Sequence, residues 1–395
     1  MLVVRYGSDP ITFLNRLFRG LAKENIRITI AADRKSLRDY FAHENIDVLW
    51  APSWKGSFFS KSANILRLLA TRFSFKRLGW LCKALKREKT IRDRLIAFHN
   101  YLPFMKGKWN LIYFPWNGAA IDYSGLFELG IPSIISCRGS QINIKPITTK
   151  STRYIEGLTE SLIKATAVHC VSQDILNQAA RYGLDPGKAI VIQPAVDPDF
   201  FTEPAGRLKN PRFTIVTTGS LIWRKGYESL LMAVRKFLDT GRDAELHIIG
   251  TGEERQRILY TIVDLNLNNH VFLQGHLPPK QVCERLQEAD VFVLASLSEG
   301  ISNAVLEAMS CGLPIVTTNC GGMTEAIDDG IEGLIVPVWD ENAMADALIR
   351  LAASRDLRKR MGAAGRQRIL ADFTLDHQIR DFKHLIQTAI SRTTP

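Results

Sequence analysis

The sequence predicts an α/β protein built from two doubly wound parallel sheets, and three observations carry that prediction. The chain has 395 residues, and at about 150 residues per domain that length implies two to three domains. From Pro211 onward, short β-branched runs alternate with amphipathic stretches, the pattern of repeated strand–helix units. Those runs lack polar alternation, as strands covered on both faces should. Composition agrees: 46% hydrophobic and 23% charged residues are globular proportions, which excludes wholesale disorder. No uninterrupted apolar run approaches the ~18 residues of a membrane span.

In chain order, the first half offers strands at Leu2–Tyr6, Arg27–Ala31, Val48–Ala51, Leu111–Phe114, Ser133–Ser136, Ala167–Cys170 and Ala189–Gln193. Leu14–Leu21 and Ser161–Ala165 have helical spacing. Pro194 to Asp199, followed by Glu203-Pro204-Ala205-Gly206, has the turn-rich composition of a linker. The second half offers strands at Phe213–Thr218, Glu245–Ile249, Val271–Leu273, Val291–Ala295, Pro314–Thr318 and Gly333–Val338. Helices are expected between them at Tyr227–Leu238, Arg255–Leu265, Gln281–Ala289 and Asn303–Met309, with a last helix near Leu375–Ile390. The predicted domains are 1–200 and 201–372, with 373–395 packing back on the first.

Charge is concentrated in one place. The formal net charge is +11, from 51 basic and 40 acidic residues. Fourteen Lys/Arg and only two acids, Glu88 and Asp93, lie between Ser53 and Lys108, so the remainder is nearly neutral. In this stretch Lys61, Arg67, Arg72, Lys76, Arg77, Lys83, Lys86 and Arg87 interleave with apolar residues such as Phe58, Phe59, Leu66, Phe75, Leu78 and Trp80. Helices of this composition suit an anionic membrane surface. The alternative is a helix pair with its apolar side buried and its basic side solvated. No nucleic-acid module is recognisable, so a nucleic-acid partner is not expected. The N-terminus shows no charged leader or apolar signal core. Six scattered cysteines without a CxxC pair suit reduced thiols and a cytoplasmic location.

Four segments with chemical potential fall at expected strand C-termini, where α/β sheets bind ligands. The strongest, Ser298 to Val316, places Glu299 in a strand-to-helix loop, Ser302 or Asn303 at an N-cap position, and Glu307 on the helix. The two carboxylates are spaced to serve different parts of an extended ligand, unless they are merely a loop acid and a solvated helix residue. Gly219-Ser220-Leu221-Ile222-Trp223-Arg224-Lys225-Gly226 follows another strand, with Lys225 suited to a diphosphate. Gly250-Thr251-Gly252 and Asn319-Cys320-Gly321-Gly322 occupy equivalent turns. Helix N-termini at such turns favour phosphates, which points to a nucleotide-linked substrate. Asp197-Pro198-Asp199 spells a metal-binding Asp-x-Asp but lies in the linker. Gly183–Lys188 is too short for a P-loop and lacks its Ser/Thr. The histidines show no metal-ligand spacing, so no metal is expected.

Together, these pieces over roughly Phe213–Pro337, including Phe272-Leu273-Gln274-Gly275 and the Cys311-Gly312-Leu313-Pro314 end of the carboxylate block, resemble family 4 of the retaining glycosyltransferases, the group 1 glycosyl transferases of GT-B fold. The resemblance implies two Rossmann-like domains facing across a cleft and a nucleoside-diphosphate sugar donor. It implies ribose hydroxyls on Glu307, the transferred sugar on Glu299, and the diphosphate on Lys225. The base would border Gln274, Gly275, His276 and Leu277. The backbone of Gly300, Ile301, Ser302 and Asn303 would cradle sugar and diphosphate, and Gly7, Gly219 and Gly250 would approach the donor. Two positions depart from the family pattern. Ser220 stands where the family has an Arg, with Arg224 able to compensate, and Arg138 stands where it often has a sugar-facing His. A cation there suits a departing diphosphate.

The function implied is retaining, metal-independent transfer of a sugar to a hydroxyl acceptor. That acceptor would be a glycan or lipid-linked saccharide at the membrane surface, and the enzyme would be cytoplasmic, held peripherally on the inner face of the membrane. Glu299, Lys225 and Arg138 are the expected catalytic residues. A sugar-nucleotide epimerase of the same fold and an idle nucleotide-sugar-binding partner protein are the alternatives.

Overall fold

The computed structural model describes residues 1–6, 12–33, 37–41, 43–149, 151–204 and 212–392. The chain forms two units, Met1–Val171 with Ile175–Ile192 and Gln378–Pro395, and Ser172–Asp174 with Gln193–His377. Both are parallel α/β sheets, the architecture of the GT-B fold.

In the first unit the strands are β1 (Leu2–Val3), β2 (Ile28–Ala32), β3 (Ile46–Trp50), β4 (Ile112–Phe114), β5 (Ser133–Cys137), β6 (Ala167–Cys170) and β7 (Ala189–Val191), in spatial order β3-β2-β1-β4-β5-β6-β7. Every pairing is parallel. Strand parity divides the core between the faces. Leu2 and Val4 join a cluster with Ala31, Leu49, Ile112, Phe114 and Ile135. Val3 joins another with Leu14, Phe18, Ile28, Ile30, Tyr113 and Ile134. The last helix, Leu375–Ser391, closes that second face with Phe382, Leu385, Ile386 and Ala389. β1 is shorter than its apolar run because Arg5 adopts φ +56°, outside extended backbone.

The second unit holds β8 (Phe213–Thr218), β9 (Ala244–Ile249), β10 (Val271–Gly275), β11 (Val291–Leu294), β12 (Ile315–Thr318) and β13 (Gly333–Val336), in order β10-β9-β8-β11-β12-β13 and all parallel. This is the order of a dinucleotide-binding sheet. Ile215, Leu246, Val291 and Val293 face one core cluster, while Val216, Phe292 and Leu294 face the other. Two helices unassigned from sequence, Glu341–Ala353 and Arg355–Asp372, begin where the Asp340 carboxylate and the Ser354 hydroxyl accept backbone N–H bonds from Ala343 and Leu357.

The basic segment inserts three helices between β3 and β4: Phe58–Arg72, Leu78–Lys86 and Ile91–Tyr101. One side is buried, with Leu68, Leu81, Ala84, Ala97 and Tyr101 in the first-unit core. The other leaves Phe58, Phe59, Phe75 and Ile91 at least 77% exposed. Several cations are consumed internally. Arg77 donates to the carbonyls of Phe104 and Gly107 at 2.6 and 2.5 Å. Lys83 and Arg87 both pair with Glu128 at 2.7 Å.

A buried polar chain crosses the first sheet. His169 Nε2 lies 2.8 Å from the Ile192 carbonyl, an obligate acceptor, so this nitrogen carries the proton. Nδ1 then accepts from the Ser136 hydroxyl at 2.7 Å, which in turn accepts from Tyr113 at 2.7 Å. Burial, with the Arg138 charge adding to it, pushes His169 down to about 3. The unfolded imidazole titrates near ~6.5, so between these values the unfolded state binds more protons and stability falls as pH falls. The slope approaches ~1.4 kcal/mol per pH unit below about pH 6. Urea midpoints measured from pH 7 to pH 4.5 should therefore fall in the wild type, and fall less steeply in His169→Gln.

Candidate functional site

The second unit gathers its candidate residues at the carboxyl edge of its sheet. After β8, the chain passes Gly219 and Ser220 into a single turn, Trp223–Lys225, closed by Gly226 at φ +64°. A Cβ on Gly226 would lie 2.0 Å from the Ala295 carbonyl oxygen, so only glycine lets this loop press against the one after β11. Leu297 N–H donates to the Arg224 carbonyl at 2.8 Å and ties the two loops together. From the other side, a Cβ on Gly321 would stand 2.0 Å from the Glu299 carbonyl. Gly322 N–H donates to the Gly300 carbonyl at 2.7 Å.

These contacts bring Lys225 and Glu299 together. Lys225 Nζ stands 2.5 Å from Glu299 Oε1, with only 14% and 11% of the two side chains exposed. The Ser296 hydroxyl donates to the same carboxylate oxygen at 2.8 Å. Thr318 donates to the Ser296 carbonyl at 2.5 Å and holds that residue in turn. Charge-assisted bonds of this kind, largely shielded from water, are stronger than their exposed counterparts. Ser296 and Thr318 escaped the sequence reading. The available signal was positional, since Ser296 lies two residues beyond β11 and three before Glu299.

The other expected residues take distinct places. Ser302, 4% exposed, is the N-cap of the helix Asn303–Ser310, although its hydroxyl makes no capping bond. Ile301 is buried and Glu307 is half-buried on that helix. Gly219 N–H donates to the Ile249 carbonyl, and Gly250 N–H donates to the Gly275 carbonyl at 2.8 Å, so the turns after β8, β9 and β10 are joined in series. Gln274 Nε2 is 3.0 Å from His247 Nδ1, whose ring stacks on Phe272. His276 and Ser220 are exposed, and Leu277 and Arg224 are half-buried.

Arg138 belongs to the first unit. It follows β5 and lies with its guanidinium 4.7 Å from the Phe13 ring centre and 5.8 Å from that of Trp116, a cation held by aromatic faces. Gly7 lies outside the described residues. Asp197 caps a turn, its Oδ1 accepting from the N–H groups of Asp199 and Phe200 at 3.2 Å each. Asp185 caps the Pro186–Lys188 turn through Gly187 N–H. Among the described residues, no group of three or more His, Cys, Asp or Glu is placed to hold a metal ion, and no helix is long and apolar enough to cross a membrane.

Residues 200–368 match the family model described as glycosyl transferases group 1. A curated relative, the putative colanic acid biosynthesis glycosyltransferase WcaL of Salmonella typhimurium, is 28% identical over 213 residues, 52% of each chain. The chain spans about half the length of the curated relatives it matches. Sucrose-phosphate synthase from Thermosynechococcus elongatus superposes with a TM-score of 0.76 over 99% of this chain and 98% of that one, at 18% identity. Anabaena HepE, solved in complex with UDP and glucose, superposes with a TM-score of 0.71 over 98% of each chain, at 15% identity. At such identities the likeness establishes the shared fold.

The Lys225–Glu299 pair makes a prediction about stability that needs no ligand. Removing one partner leaves a buried charge uncompensated, at a cost of ~3 kcal/mol or more. Lys225→Met should lower the unfolding free energy by about that amount, and Lys225→Met/Glu299→Gln should recover more than half of it. Urea denaturation of the two single variants and the double variant measures the coupling directly.

Proposed function

We propose that the protein is a retaining, metal-independent glycosyltransferase that moves a sugar from a nucleoside-diphosphate donor to a hydroxyl acceptor. The single observation that carries this reading is the Lys225–Glu299 pair, set where β8 and β11 adjoin and inside the segment matching the group 1 model. In a parallel sheet of this order, that junction is where ligands bind. Without donor, the lysine charge is balanced by the carboxylate. A diphosphate against Lys225 and sugar hydroxyls on Glu299 replace one shielded contact by two. Charge collecting on the departing diphosphate is then met by the ammonium and by the N-terminal N–H groups of the helix Asn303–Ser310. Glu307 receives the ribose hydroxyls, and the turn Gln274–Leu277 borders the base. Retention rests on the family resemblance.

Glu307→Ala should weaken donor-nucleotide binding ~10- to 150-fold, the equivalent of one charge-assisted bond of ~1.5–3 kcal/mol. Glu299→Ala should spare the bare nucleotide and blunt discrimination among donor sugars. Calorimetry with UDP, GDP and their sugars reads both effects, and transfer is expected to persist in EDTA. Unchanged affinities in both variants would remove the site assignment.

The acceptor is assigned to the first unit, and the inserted helices hold the enzyme at an anionic membrane surface. Exposed Phe58, Phe59, Phe75 and Ile91 supply the apolar contact, and exposed Lys76, Lys86, Lys89 and Arg92 supply the charge. Each cation near an anionic leaflet contributes ~1 kcal/mol. Wild-type protein should cosediment with anionic vesicles at low salt, less so at high salt, and little with neutral ones. Lys76→Gln, Lys86→Gln and Lys89→Gln combined with Phe59→Ser should release it without changing nucleotide binding. Absence of wild-type binding to anionic vesicles at low salt would exclude the membrane role.

A further inference from the structure

Each sheet has one place where the strand order reverses, between β1 and β4 in the first unit and between β8 and β11 in the second. The second is occupied by the Lys225–Glu299 pair. The first holds another cation–carboxylate pair: Arg5, two residues beyond β1, and Asp122, at the end of the helix Asn117–Asp122 that follows β4. Among the described residues, Arg5 is also one of four non-glycine residues with positive φ, at +56°. Backbone outliers of this kind concentrate at functional sites.

Beside this pair lies a cavity of about 480 Å³, within the unit and bounded on one side by the inserted helix Ile91–Tyr101, a volume typical of small-molecule sites. Its charged lining is balanced. Arg5, Lys55 and Arg153 are matched by Glu88, Asp93 and Asp122, and Arg153 pairs with Glu88 at 2.9 Å and with Asp93 at 3.2 Å. An anionic ligand would have to displace carboxylates to reach Arg5 or Arg153. A hydroxyl both donates and accepts, so it bridges such pairs without separating them. Trp54, Tyr123 and Tyr154 add aromatic surface to the wall, suited to the C–H faces of a sugar ring.

We propose that this cavity is the acceptor subsite and that it takes a neutral, hydroxyl-rich sugar ring rather than an anionic one. The assignment of an acceptor rests on the glycosyltransferase reading above, whereas the preference for a neutral ring follows from the lining itself.

The test uses the full chain without donor. Binding of methyl α-glucopyranoside, methyl α-mannopyranoside and methyl α-galactopyranoside is compared with that of glucuronate and inorganic phosphate by ligand-observed NMR. Ser151 is exposed at the cavity, so Ser151→Trp fills it without disturbing the core. At least one neutral glycoside should bind, and lose at least fivefold in affinity in Ser151→Trp, while UDP and GDP binding stays unchanged. Asp93→Asn, which leaves one positive charge in excess, should shift preference toward glucuronate. Glucuronate or phosphate binding that is tighter than that of the neutral glycosides and is lost in Ser151→Trp, no binding of any neutral glycoside, or unchanged glycoside binding in Ser151→Trp would overturn the proposal. If neither UDP, GDP nor their sugars bind, the donor reading fails as well. If they bind and only the cavity variant is silent, the failure belongs to the cavity alone.

Discussion

Parallel pairing is the constraint on which the rest of this structure depends. Because every strand in both sheets runs the same way, all strand C-termini and the N-termini of the following helices collect at one edge of each sheet. Those helix ends carry unpaired N–H groups and partial positive charge. The connecting loops must crowd together there, which is why Gly226 and Gly321 sit where any Cβ would strike a neighbouring carbonyl. The same crowding delivers Lys225 to Glu299 and leaves the pair little exposed.

The two reversal points differ in their electrostatics. In the second unit the cation and carboxylate are shielded, and a serine and a threonine hold them in place. In the first, Arg5 and Asp122 are about half exposed, so solvent screening leaves little stabilisation in the pair. A shielded pair strongly affects folding when one partner is lost, and an exposed one does not. The first position is therefore free to vary in composition at small cost to the fold, while the second is bound to the integrity of its loops.

The inserted helices show how one segment serves two surroundings. Leu68, Leu81 and Ala84 belong to the first-unit core, whereas three phenylalanines and an isoleucine face outward. Arg77 is spent on backbone carbonyls and Arg87 on Glu128, a carboxyl that the ammonium groups of the exposed Lys83 and of Lys164 hold at about 2. The charge that faces solvent is accordingly smaller than the local excess of basic residues implies.

The sequence by itself determined the strands of both sheets, because runs such as Phe213–Thr218 and Ala167–Cys170 are short, rich in β-branched or small residues and free of Asp, Glu, Lys and Arg, and turn residues punctuate them. It also placed Glu299, Lys225, Gly250 and Gln274 at strand ends, since a motif directly after a strand has nowhere else to be. Tertiary structure alone decided which of these side chains meet. Lys225 and Glu299 are 74 residues apart, and they touch only because β11 pairs with β8 rather than with β10, which precedes it in the chain. Arg5 reaches Asp122 for the same reason, through the pairing of β1 with β4. Arg77 turns inward because the carbonyls of Phe104 and Gly107, about thirty residues on, happen to lie beneath it. Periodicity and composition encode what a residue does within a few positions of itself. Side-chain partners across a reversal of strand order are set by the packing of the whole sheet.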